Sequence, residues 1–283
     1  METSSAKNAV ITGAAYGLGK ACALALARRG WRIGLVDIEV EEAEKTLREV
    51  EGAGGSGEVY RCDVRRHEEV LAVADHFFSQ WGRVDLLVNN AGVYGTACVD
   101  DVSMEDWERI IDTDLWGVIY GCNAFIPRMK RQGGGHIVNI ASSAGIVCAP
   151  ETAPYSVAKA GVISLSEVLR VELAPSGIGV TVVCPLFFQS HLFSTMSASD
   201  TTILKDISLT AAANARVTTD DIAAMILRAV ERNRLYVLPQ LSSKLFWWFK
   251  RLMPAAFYSQ TSFLYKHNLV KPVFTQLAKR GLL

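Results

Sequence analysis

Residues 8–20, Asn8-Ala9-Val10-Ile11-Thr12-Gly13-Ala14-Ala15-Tyr16-Gly17-Leu18-Gly19-Lys20, decide the fold. The first five form a short apolar run of the kind found in sheets buried on both faces. Glycines follow at 13, 17 and 19, and a helical pattern runs from Gly17 to Arg29. Strand, glycine turn and helix in that order predict the opening of a βαβ unit.

The same alternation repeats outward. Trp31–Asp37, Glu58–Cys62, Val84–Asn89, His136–Ala141, Gly179–Cys184 and Leu235–Leu238 read as further strands, mostly short, branched and apolar. Val40–Glu51, Glu68–Trp81, Met104–Arg131, Ala153–Leu173 and Thr219–Glu231 have the length and period of crossover helices. This predicts an α/β chain: a single-domain Rossmann fold with a doubly wound, seven-stranded parallel sheet and helices on both faces. No repeat and no Pro/Gly/Ser-rich linker divides it. Residues 1–239 are expected to form the main domain, and 240–283 an extension packed on it. Within the domain, 187–219 is rich in Ser, Thr, Ala and Asp and too long for a routine connection, so it reads as a substrate-covering segment with some helix of its own.

Composition narrows the class. At 283 residues, 50% hydrophobic and 20% charged, the chain has an ordinary globular profile. Its six cysteines lie far apart with no C-x-x-C pair, which favours small buried hydrophobes over a metal or redox site. The N-terminus leaves no room for a secretion signal before the first strand. The longest uncharged stretch, 173–199, is broken by Pro175, Gly177, Pro185 and Gln189, so no spanning helix is expected. Net charge is zero, yet the last acidic residue is Glu231, and nine cations with no anion follow it. Within that tail, Leu245-Phe246-Trp247-Trp248-Phe249-Lys250-Arg251-Leu252-Met253 mixes aromatics with cations. Two readings stay open: contact with the headgroup level of a membrane, or closure of a pocket or subunit interface. No nucleic-acid partner is expected.

The glycine turn lets backbone N–H groups approach a pyrophosphate at a helix N-terminus. Asp37 follows Gly17 by 20 residues, at the end of the second strand, where a carboxylate accepts hydrogen bonds from a ribose 2′-hydroxyl. A 2′-phosphate there would face Asp37 with no cation from Tyr16 or Ile38 to offset it. Dinucleotide binding with NAD preferred over NADP is therefore the expectation. A second constellation is Tyr155-Ser156-Val157-Ala158-Lys159. Positions i and i+4 share a helix face, so the ammonium is predicted beside the phenol, lowering its pKa toward a usable acid/base value. Ser142, at the end of the fifth strand, is expected on the ligand-binding edge of the sheet. His136, at the start of that strand, reads as structural.

Taken together, the glycine turn, Asn89-Asn90-Ala91-Gly92, Ser142, Tyr155 and Lys159 resemble the short-chain dehydrogenase/reductase family in order and spacing, over about Ala6 to Leu238. The resemblance implies Tyr155 as acid/base, Lys159 as the nicotinamide-ribose ligand that lowers the tyrosine pKa, and Ser142 as the group orienting the substrate oxygen. It implies cofactor contacts at Gly13, Tyr16, Gly17, Leu18, Gly19, Asp37, Ile38, Asp63, Val64, Asn89, Ala91, Gly92, Pro185, Phe188 and Ser190. Asp63 would meet the adenine, and Ser190 stands where a threonine often contacts the nicotinamide amide. Two positions depart from the family pattern: Asp114 replaces the usual asparagine of the catalytic set, and Leu186 the usual glycine after Pro185. Ionised, Asp114 would oppose the phenolate while favouring the lysine ammonium.

Tyr94, Cys148, Phe187, Leu192 and Phe193 are the expected substrate walls. With the aromatic tail they suggest a hydrophobic alcohol or ketone, such as a steroid, retinoid or long-chain lipid. The resemblance also implies a homo-oligomer, dimer or tetramer, through pairing of the helices in 104–131 and 153–173. The expected setting is cytoplasmic, with membrane association as a variant of the same chemistry. A non-catalytic dinucleotide sensor is the alternative from another class.

Overall fold

The computed structural model describes residues 7–193, 197–198 and 202–283. Strands β1 (Asn8–Thr12), β2 (Arg32–Asp37), β3 (Ser56–Arg61), β4 (Leu86–Asn89), β6 (Gly135–Ile140), β7 (Ile178–Val183) and β9 (Tyr236–Val237) form one sheet. All its pairings are parallel, in the order β3-β2-β1-β4-β6-β7-β9. The chain leaves β1 toward β2 on one side and later returns to β4 on the other. Loops therefore diverge at the carboxyl ends of β1 and β4, which opens a crevice there. A two-residue pair, β5 (Gly95–Thr96) with β8 (Ser197–Ala198), lies apart from this sheet.

Central strands are apolar on both faces because helices cover both, and β1, β4 and β7 are buried along their whole length. On one side α3 (His67–Trp81), α5 (Gly117–Arg131) and α7 (Ala153–Glu172) contribute Phe77, Phe125, Met129 and Val162 to a shared core. On the other, α1 (Gly17–Ala27) and α9 (Thr219–Glu231) contribute Leu18, Leu26, Ile222 and Ile226. Thr218 and Asp221 cap α9 reciprocally. The remaining crossover, α2 (Val40–Gly52), keeps only Ala43, Thr46 and Val50 buried.

The continuous helix expected over 104–131 is broken. It runs as α4 (Met104–Ile111), a π-helical turn Asp112–Trp116, and α5. The wider turn rotates Thr113 and Asp114 into the interior, where both are buried. Strands expected at 84–89 and 235–238 are shorter, β4 and β9; at the first, Val84 N donates to the Gln132 side chain instead of to a neighbouring strand.

The segment 187–219 carries a 3-10 turn, His191–Phe193, and helix α8 (Ile203–Ala213). A short helix, α6 (Ala144–Val147), follows β6. Residues beyond 240, for which no elements were expected, fold into α10 (Leu241–Leu252), α11 (Pro254–Lys266) and α12 (Val270–Lys279). α12 packs on α8 and α10 on α6, and the C-terminal Leu283 is buried. Among the described residues no helix is long and apolar enough to cross a membrane.

Candidate active site

The turn after β1 is drawn tight by its neighbours. Gly13 N donates to the Val36 carbonyl, and Asn90 Nδ2 donates to the carbonyls of Thr12 and Gly13, both at 2.9 Å. Thr12 Oγ1 in turn accepts from the backbone of Asn90 and Ala91. Asn90 thus staples the β1 turn to the β4 turn, a role the sequence reading did not give it. Gly13 has φ +64°, and a Cβ there would lie 2.8 Å from Ala91 Cα. A Cβ on Gly19 would lie 2.2 Å from the Gly13 carbonyl oxygen. No side chain caps the first turn of α1, so its outward N–H groups stay available to an anion. Asp37 accepts from Ala15 N at 2.9 Å and Glu39 N at 3.1 Å, which fixes its carboxylate at the rim.

Ser142, Tyr155, Lys159 and Asp114 meet at the opposite end of the same crevice. Tyr155 sits in the first turn of α7 and Lys159 one turn on, with Nζ 5.5 Å from the centre of the tyrosine ring. Lys159 Nζ donates to the Ile140 carbonyl at 3.1 Å and lies 3.0 Å from Asp114 Oδ2. That second contact is an ion pair lacking hydrogen-bond alignment, since Oδ2 has no aligned donor. Asp114 is fully buried, and its Oδ1 accepts from Val93 N at 2.7 Å. Burial pushes its carboxyl up, against the pull of the Lys159 ammonium and the Val93 N–H. Ser142 Oγ accepts from Ala144 N. Tyr94 packs its ring edge-on against Tyr155 at 4.8 Å, and its hydroxyl meets Ser208 on α8.

One expectation is reversed. Lys159 was expected to draw the Tyr155 pKa down, but the phenol stands above its ordinary value. Burial is the main cause and the Asp114 carboxylate the next, with only the Ser142 hydrogen bond pulling the other way. The physical reason is that burial disfavours the charged phenolate, and the negative charge of Asp114 adds to it.

A cavity of about 860 Å³ joins the two ends. Its walls include Gly13, Tyr16, Gly17, Leu18, Asp37, Ile38, Asp63, Val64, Ala91, Gly92, Asp114, Ser142, Tyr155, Lys159, Pro185, Phe188 and Ser190, together with Tyr94, Phe187 and Leu192 on the expected substrate side. Three of the described expected residues do not line it. Gly19 lies beneath the turn, and Asn89 sits behind the cavity, donating to Asn139 Oδ1. Cys148 is exposed at φ +52°, with its thiol near Lys250 Nζ, while its neighbours Val147 and Ala149 form the wall. The side chain of Phe193 lies outside the described residues.

Leu186, flagged for replacing a glycine, adopts no left-handed backbone; its N–H donates to Gln240 Oε1, and Gln240 Nε2 donates to the Phe187 carbonyl. The remaining wall comes from the segment 187–219, read as a substrate cover, and from the tail, for which pocket closure was one of two readings. Leu204 and Ile207 of α8, Phe246 and Phe249 of α10, Phe257 and Leu264 of α11, Phe274 and Leu277 of α12, and Leu283 roof the cavity. The aromatics of the tail were the available signal for this wall, but which of them face the cavity was not legible in them.

The family model for short chain dehydrogenases matches residues 7–201. D-threitol dehydrogenase of Mycolicibacterium smegmatis is 38% identical over 186 residues, 66% of this chain and 72% of that protein. Cyclohexanol dehydrogenase of an Acinetobacter species is 34% identical over 189 residues, 66% of this chain and 75% of that one. Among solved structures, a short chain dehydrogenase/reductase from Burkholderia phymatum in complex with NAD superposes with a TM-score of 0.79 at 29% identity, covering 84% of this chain and 90% of the other.

Proposed function

The chain belongs to the short-chain dehydrogenase/reductase family, and on that premise we propose that it is an NAD-dependent oxidoreductase interconverting a hydrophobic secondary alcohol and its ketone. The observation that carries this reading is one continuous cavity. It has a glycine turn and an acidic rim at one end, Ser142 with Tyr155 and Lys159 at the other, and an apolar roof beside them.

The residues present fit a dinucleotide. Gly13 and Gly19 let the turn pack tightly against Ala91 and against itself, and the first turn of α1, where a pyrophosphate would approach, carries no side-chain cap. Asp37 would accept from the adenosine ribose hydroxyls and would repel a 2′-phosphate. Arg65, the cation on that wall, is held by Asp63 through its Nε and Nη2. Bound there, NAD supplies the hydride acceptor. Lys159 would hold the nicotinamide ribose while anchored to the Ile140 carbonyl. Ser142 would orient the substrate oxygen, and the Tyr155 phenolate would take its proton, with the Tyr94 ring edge keeping water from that face. In reduction the phenol returns the proton.

The apolar roof supports a hydrophobic substrate. D-threitol, named for one relative, is a polyol, but the family match ends at 201 and the roof of α8 and α10–α12 lies beyond it. Exposed Trp116, Val157, Val168 and Val171 on the π turn and α7 support a homo-oligomer through that helix face.

One observation favours a second reading, a dinucleotide sensor without turnover: Asp114 loads the Tyr155 phenol against ionising. A single experiment separates them. NADH formation is followed over a panel of hydrophobic secondary alcohols, with NADP and Tyr155→Phe in parallel. Turnover with NAD that falls about 10²- to 10⁴-fold in Tyr155→Phe, with NAD affinity nearly intact, is expected. Tight NAD binding without turnover on any alcohol across pH would favour the sensor.

A further inference from the structure

The tail aromatics that the sequence left between two readings are divided by α10 itself. Phe246 and Phe249 turn inward to the cavity. Leu241, Leu245, Trp248 and Leu252, spaced four, three and four residues apart, fall in one outward stripe, and they are 70%, 61%, 55% and 72% exposed. Met253, which ends the helix, is 56% exposed. Lys244 and Arg251, seven residues apart, run along one border of the stripe. Arg251 is held there by the Trp247 ring, 5.8 Å from its guanidinium. Trp247 packs at a tilt against Tyr236, and the Tyr236 hydroxyl donates to Glu167, so the neighbouring carboxylate of α7 is already engaged.

We propose that the outward face of α10 docks on an anionic lipid bilayer. A narrow apolar stripe carrying a tryptophan and bordered by cations matches the acyl-headgroup boundary, where the indole and the long basic side chains each place an apolar body inside and a polar end in the headgroups. Anionic headgroups complement a segment that holds nine cations and no anion after Glu231. A second copy of the chain fits this face less well. A two-fold contact through the stripe would set Lys244 and Arg251 against their own symmetry mates, with no carboxylate on the helix to offset them. Docking would also hold the apolar roof one helix thickness from a phase that dissolves hydrophobic alcohols. The docking claim stands independently of the catalytic reading.

The test is co-sedimentation of the full chain with vesicles of phosphatidylcholine alone and of phosphatidylcholine mixed with phosphatidylserine, at low and raised salt. Trp248→Glu combined with Leu245→Glu, both exposed positions, is the disrupting variant. Lys244→Glu, which alters no apolar packing, is the second, and thermal melting checks that each folds. The expected result is binding to the mixed vesicles that weakens with salt, falls roughly tenfold or more in the double variant, and drops measurably in Lys244→Glu. Absence of binding at low salt, or binding unchanged by both variants, would overturn the proposal. Equal binding to phosphatidylcholine alone would overturn the choice of anionic headgroups. A vesicle-indifferent dimer that the double variant dissociates would assign the face to a second copy instead.

Discussion

Asp114 sets a carboxylate beside the Lys159 ammonium and within the field of Tyr155, and the consequence is a pH profile. Alcohol oxidation needs the phenolate, and a negative neighbour raises the pH at which it forms. Asp114→Asn removes that charge while keeping an amide oxygen for the Val93 N–H. The acid limb of the kcat/KM profile for oxidation should therefore move to lower pH. A limb that stays in place would mean that Asp114 is protonated in the working enzyme. The sequence shows the Tyr155–Lys159 pair through helical spacing, but the direction of its pKa shift depends on burial and on a residue 41 positions upstream. His136 offers a second test at this scale. Burial, with the Arg170 charge adding to it, lowers its pKa to about 4, and Nε2 lies 2.8 Å from Thr181 Oγ1. The unfolded chain therefore takes up the proton first. The stability contributed by the neutral ring is intact above the unfolded value near 6.5 and is lost as pH falls through about 4. Over that window the loss should reach about 3 kcal/mol. His136→Gln, which cannot titrate, should lose less between pH-matched urea melts on the neutral and acid sides.

Among the elements, the β1 turn was the most legible, because its glycines, the following helix and Asp37 all lie within one short stretch of chain. Gly19→Ala tests the packing behind that pattern. A Cβ 2.2 Å from the Gly13 oxygen forces α1 away from the turn, at about 1–3 kcal/mol of stability. It should also weaken NAD binding more than the same change at Gly30, a positive-φ glycine with open space around it; binding followed by tryptophan quenching checks this. The helix over 104–131 was legible as an amphipathic run but not as a broken one. Period-3.6 patterning tolerates one extra residue, and the π turn is held by tertiary partners, Val93 and Lys159 on Asp114. The start of β4 slipped where the Gln132 side chain took over a backbone donor.

Across the whole molecule, the polar machinery comes from the carboxyl edge of the sheet, and the space for substrate comes largely from residues 204–283. In that second half a covering role for 187–219 was legible, and pocket closure by the tail was one of two readings. The faces of α10 were not legible because that helix is apolar in two directions, Phe246 and Phe249 inward to the cavity and Leu241, Leu245, Trp248 and Leu252 outward. The division has a measurable consequence. If the roof binds the substrate chain, each added methylene should lower the transition-state free energy by about 0.8 kcal/mol, roughly fourfold in kcat/KM, until the cavity is filled. A homologous series of 2-alkanols run with saturating NAD would show that rise and then a plateau. Phe249→Ala enlarges the roof, so its plateau should come at a longer chain, while the shortest alcohol, which does not reach α10, should be turned over as before. A flat series in the unaltered protein would remove the hydrophobic substrate from the reading and leave the polar edge, with its Tyr155 chemistry, to be matched to a smaller and more polar alcohol.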